Sequence, residues 1–198
     1  MTPDTILEFW FGSDSDDGAV AKERAGLWWS ENKETDDEIR RRFEIYVILA
    51  HSEQMKDWLA TPRGRLALII LSDQFPRNIY RDTARAFSCD IQALTWCIDG
   101  VEKKIDRDLR PIERVFFYLP LEHAEYMEHQ DLSVKCFDEL VSTVPAEQRP
   151  VFEEYLDYAI RHRQIIELFG RFPHRNKLLG RKSTAEELAF LAEPGSSF

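Results

Sequence analysis

The stretch Leu66–Tyr80, LALIILSDQFPRNIY, runs six apolar residues, Leu66 to Leu71, directly into Asp73, Gln74, Arg77 and Asn78. Such a run is either a buried strand or the core of a buried helix, and periodicity alone does not separate the two. Its neighbours do. Pro62 and Gly64 precede it, Pro76 follows it, and Leu, Ala and Ile without valine suit a helix of about three turns. The expectation is a central helix from Gly64 to Phe75 that Pro76 stops, which makes Asp73 and Arg77 a turn pair rather than neighbours on a helix surface. Charge at the end of a buried element must be paired or must face a cavity. Two readings therefore stand side by side: a structural network capping helix carbonyls, or a ligand site.

Around this element the chain of 198 residues is long enough to bury a core as one all-α domain over 1–198. Hydrophobic residues at 43% and five tryptophans exclude a disordered chain and point to an aromatic-rich core. A net charge of −10 argues against nonspecific binding to nucleic acid or to an anionic membrane surface. Cys89, Cys97 and Cys136 are odd in number and lack metal-type spacing, so they read as reduced thiols. Met1-Thr2-Pro3-Asp4 has no basic flank, and no apolar run reaches the length of a membrane span. A soluble cytoplasmic protein without metal or cofactor is the expectation.

The remaining chain reads as helices. Thr2 and Pro3 start one through Ile6 to Phe11, with Gly12 as its stop, and the acidic Ser13–Gly18 is a loop. Trp28 and Trp29 form a second apolar patch. Thr35 to Glu38 is a capping box for a helix carrying Ile39, Phe43 and Tyr46 to about Ser52. Thr83 or Ser88 caps a helix that Gly100 ends. Pro111 opens the next, Pro120 breaks its path, and Leu121–Leu140 supplies another pair. Tyr155, Ala159, His162, Ile166 and Phe169 make the stripe of a long helix with Gly170 at its C-cap. Ser183 to Glu186 boxes the last helix, Ala185 to Leu191, before the Pro194–Phe198 tail, which packs across the bundle or lies near the site. No segment alternates as a strand would. Antiparallel helices joined by short turns imply a bundle or a two-layer superhelix.

One pattern occurs twice. Ile69-Ile70 leading to Gln74-Phe75-Pro76-Arg77-Asn78 resembles Ile165-Ile166 leading to Arg171-Phe172-Pro173-His174-Arg175-Asn176, so both turns can face one cavity. In Leu121–His129, His123, Met127 and Gln130 fall on one helical face, and Glu125 and His129 on another. The spacing matches neither a zinc protease nor a di-iron bundle. His162 sits on an apolar stripe, where a histidine is usually a bonded core residue, with Arg163 at its edge. If His123, His162 and His174 meet, a general acid or base is available. No nucleophile elbow, phosphate-cradling loop or dinucleotide fingerprint occurs.

Taken together, DQFPRNIYR (Asp73–Arg81), ARAF (Ala84–Phe87), the Glu113–His123 segment with its FFYLPLEH, FGRFPHRN (Phe169–Asn176), LGR (Leu179–Arg181) and the terminal PGSSF resemble the bacterial domain-of-unknown-function family nine-two-four along essentially the whole chain. The resemblance implies a tetratricopeptide-like α-α superhelix, here of about eight to ten antiparallel helices, and no established activity. Serine is common in the family after the Glu-His pair. This chain has Ala124 there, so no nucleophile is assigned.

Two functional readings accompany the structural one. The first is a cleft for a small anionic ligand, walled by Arg77, Asn78, His123, Arg163, Arg171 and Arg175, with Asp73, Gln74, Glu122, His162 and His174 around them, because guanidinium groups suit carboxylate and phosphate. The second is a docking groove for an acidic peptide or a protein on the concave face of the superhelix.

Overall fold

Local chemistry starts and stops many helices as the sequence suggests. In this computed structural model, which describes residues 1–196, α1 (Pro3–Phe11) begins on Thr2, whose hydroxyl accepts from the Thr5 amide, and ends at Gly12 with φ 73°. The last two residues of the Pro194–Phe198 tail lie outside the described residues. α9 (Arg149–Phe169) ends on Gly170 in the left-handed region, where a side chain would be strained.

Other boundaries move because a stronger donor or acceptor stands nearby. α2 (Asp17–Trp29) takes Asp17 and Gly18 out of the expected acidic loop, since Asp16 accepts from the Ala19 amide at 2.7 Å. α3 (Lys33–His51) is capped by Asn32 and not by a Thr35–Glu38 box: Asn32 Oδ1 takes the amides of both Glu34 and Thr35. The box opening α10 (Ala185–Leu191) pairs Thr184 with Glu187, one residue on from Ser183 and Glu186.

The central helix is longer than expected and is not regular. α4 (Pro62–Ile69) passes into a π turn, Ile70–Gln74, and then into α5 (Phe75–Ile79). Pro76 is therefore no stop. The widened turn, in which the Phe75 amide bonds to the Ile70 carbonyl, accommodates a residue that has no amide hydrogen to give. As a result, Asp73 and Arg77 are four apart within helical backbone and do pair, with Arg77 Nη1 at 3.4 Å from Asp73 Oδ1.

Three more expectations yield to packing. α6 (Asp90–Glu102) starts after Cys89, with no side-chain cap from Thr83 or Ser88, and runs past Gly100. Gly100 is buried against the next helix: a Cβ there would lie 2.4 Å from Phe117 Cζ. α7 (Pro111–Glu122) keeps Pro120 inside it, because every residue from Ile112 to Glu122 is buried and that burial outweighs one missing backbone bond. α8 (Met127–Thr143) begins only after a break at residues 123–126, so His123 shares no helical face with Met127 and Gln130. Gln130 instead donates to the carbonyls of Leu121, Glu122 and Ala124, covering the orphan acceptors at the end of α7.

The described residues contain no strand, as expected of an all-α chain. α4 and α7 lie at the centre of the core, flanked by α1, α2, α6 and α8, while α3 packs on α5 and the π turn, and α8 packs along both α7 and α9. Edge-to-face rings fill it: Trp10 meets Phe75 and Phe116 at 5.5 Å each, and Trp28 meets Phe116 at 4.6 Å. A smaller cluster, Ile165, Ile166 and Phe172, closes the C-terminal end. The succession of packed helices is compatible with a tetratricopeptide-like superhelix. The three cysteines are buried and unbridged, and among the described residues no helix is long and apolar enough to cross a membrane.

Candidate functional site

The π turn carries Asp73 inward, where it is fully buried, toward the break after α7 that holds His123. His123 Nδ1 lies 2.7 Å from Asp73 Oδ1. Gln74 donates to the other carboxylate oxygen, and Arg77 Nη1 donates to the Asp73 carbonyl. The charge of Arg77 and the hydrogen bonds from His123 and Gln74 outweigh burial, so the Asp73 carboxyl is held well below the usual carboxylate range. Burial, reinforced by Arg77, pushes the His123 imidazole down, which keeps it neutral at pH 7. A neutral ring that donates from Nδ1 to Asp73 presents Nε2 as an acceptor. Nε2 takes no hydrogen bond among the described residues, and the side chain keeps 15% of its surface open.

Asp90, in the first turn of α6, gathers the two arginines. Arg77 holds it through two bonds of 2.9 and 3.1 Å, and Arg175 Nη1 stands 3.7 Å away. Arg175 comes from the 3-10 turn Pro173–Arg175 and donates to the His123 carbonyl at 3.0 Å. Its guanidinium lies between two rings, 4.8 Å from the centroid of Phe87 and 4.6 Å from that of Phe172. Burial and the nearby Arg77 charge lower its pKa to about 10.

Behind this mouth, Glu122 and His162 are buried together. His162 Nδ1 lies 2.9 Å from the Tyr158 carbonyl and 3.1 Å from Glu122 Oε1. Burial and the Asp73 charge push Glu122 up to about 8, and burial pushes His162 down to about 3, so both are uncharged at neutral pH. The His123 and His162 rings are 6.3 Å apart, and Phe172 stands between His162 and His174, 5.4 and 5.7 Å from them.

Eight of the eleven candidate residues thus meet: Asp73, Gln74, Arg77, Glu122, His123, His162, His174 and Arg175. Three do not. Asn78 donates to Asp36 at 2.9 Å, and Arg81 chelates the same carboxylate, tying α5 to the first turn of α3. Arg171 chelates Glu187 in the first turn of α10, where Asn176 also donates. Arg163 lies at the surface between Asp131 and Glu167 and walls no pocket with His162. The repeated motif explains this partition. Its arginines, Arg77 and Arg175, converge on Asp90, whereas its asparagines, Asn78 and Asn176, each bond a carboxylate that another arginine already chelates.

Sequence reasoning missed Asp90 and the two ring walls, Phe87 and Phe172. Phe87 and Phe172 stood inside the quoted ARAF and FGRFPHRN motifs, so the signal was present without its geometry. Two surface clefts of about 430 and 480 Å³ lie elsewhere, the first near Phe9 and Arg42 and the second near Glu154 and Tyr158, and no candidate residue lines either.

A solved protein of unknown function from Agrobacterium tumefaciens shares 32% identity with the chain and superposes with a TM-score of 0.80, covering 97% of each chain. No curated protein matches. The profile of a bacterial protein family of unknown function, DUF924, matches residues 6–195. With nearly the whole chain matched, this protein belongs to the DUF924 family.

Proposed function

We propose that the protein binds a small carboxylate- or phosphate-bearing anion at the mouth formed by Arg175, Arg77 and His123. The observation that carries this reading is the state of Arg175. Among the described residues only its Nη1 has a hydrogen-bond partner, its Nε is buried without one, and its ionic partner Asp90 is already engaged by Arg77 through both oxygens. A buried guanidinium with idle donors is costly, and an anion offers what those donors lack. Arg163 and Arg171, expected in the wall of the same cleft, are committed to other carboxylates, which narrows the reading to a small ligand on Arg175 and its neighbours.

Calorimetric titration with phosphate, acetate, succinate and citrate tests it. At least one anion binds saturably, and Arg175→Lys, which keeps the charge but loses the planar fork, weakens it by about tenfold or more. Arg163→Gln leaves it unchanged. Absence of binding by every anion, or equal binding by Arg175→Lys, overturns the reading.

A further inference from the structure

We infer that His123 is a general base, oriented by Asp73, and that the anion held on Arg175 is a substrate: a small anionic ester cleaved by water. This inference rests on the anion site proposed above and adds a reaction to it. The base and the anchor are direct neighbours, since Arg175 Nη1 donates to the carbonyl of His123 itself. A ligand on the idle edge of that guanidinium is therefore delivered beside the imidazole. The imidazole has the arrangement a base requires: Nδ1 is fixed by a buried carboxylate, and Nε2 is unengaged at a partly open mouth.

The groups facing His123 come from every side. Asp73 belongs to the π turn, Arg77 to α5, Glu122 to the end of α7, His162 to α9, and His174 and Arg175 to the 3-10 turn. Glu122 and His162 are neutral at pH 7 and the arginines are cationic, so Asp73 is the group among these that stabilises an imidazolium. In the step, the oxygen of a water molecule forms a bond to the acyl carbon, the carbonyl π pair moves onto the carbonyl oxygen, and His123 Nε2 takes the water proton. The carbonyl then re-forms as the single bond from the acyl carbon to the ester oxygen breaks, the departing oxygen keeps that electron pair, and the imidazolium returns the proton to it. Ester and water become acid and alcohol, and His123 is regenerated. His123 is the catalytic residue and Asp73 a positioning residue.

The test uses the full chain with two probes, mono-para-nitrophenyl succinate, which is anionic, and para-nitrophenyl acetate, which is neutral. The anionic ester is expected to be hydrolysed with saturation and with kcat/KM at least about tenfold above the neutral one. His123→Gln lowers kcat about a hundredfold or more, a far larger loss than any it causes in succinate binding by calorimetry. Arg175→Lys raises KM more than it lowers kcat. Asp73→Asn lowers kcat and shifts the acid limb of the pH profile, a change that loss of packing alone does not produce. If Asp73→Asn does not fold, His123→Gln and Arg175→Lys decide the matter. Succinate binding retained with no release above the solvent rate, or with His123→Gln as active as wild type, overturns the general base and leaves the anion site standing. No anion binding at all removes both.

Discussion

Glu122 folds as a neutral acid, and that makes stability depend on pH in an unusual direction. Its pKa rises from 4.5 to about 8, so between those values the folded state holds a proton that the unfolded chain has released. Its contribution to stability therefore falls as pH rises through that window and levels off above it. In urea melts at pH 5 and pH 7, Glu122→Gln is expected to gain on wild type by on the order of 2–3 kcal/mol over the interval. His162 and His174 act at the other end. Burial lowers them from 6.5 to about 3 and about 4, so the unfolded chain takes up their protons first. The stability they permit is complete above pH 6.5 and is lost as pH falls below it, and His174→Gln should flatten part of that decline in an acid titration followed by far-UV circular dichroism. At this scale the sequence was half legible. Arg77, His123 and Arg175 stood out because charge follows apolar helices. Asp90 and the fate of Arg163 did not, because which carboxylate an arginine reaches depends on how helices pack.

Among the elements, α6 and α7 cross at Gly100, and the absent side chain sets how closely they approach. Gly100→Ala gains about 1 kcal/mol of helix propensity but places a methyl group 2.4 Å from Phe117 Cζ and 3.0 Å from Arg65 Cδ. Overpacking of about 1–3 kcal/mol outweighs the gain, so a net loss of melting temperature is expected. A rise would mean that the crossing has room to spare. Helix ends were legible where one residue decides them, as at Thr2, Gly12, Pro111 and Gly170. They were misread at Pro76, Pro120 and Gly100, residues that usually break helices in isolation and that here sit in a π turn, a buried helix and a close crossing.

Across the molecule, the main core draws on residues from Ile6 to Ala159, while Ile165, Ile166 and Phe172 form the smaller C-terminal cluster. Truncation after Gly170 is therefore expected to leave a helical, cooperatively unfolding protein of lower melting temperature that has lost anion binding, because Phe172, His174 and Arg175 are gone. Circular dichroism with calorimetry checks both halves, and a truncated chain that binds as well as the whole would place the site elsewhere. The all-α class was legible from periodicity and turn residues, since it depends on local pattern. The way the C-terminal turn returns to α6 was not, because no local pattern encodes a contact between residues 90 and 175. That contact also orders events in time. As the chain is synthesised from its N-terminus, the main core can close once Ala159 has emerged, with Arg77 already seated on Asp90, but the second arginine arrives later. The main core is therefore able to fold before the proposed anion site is complete, and a chain released short of residue 175 would be compact but would lack Arg175.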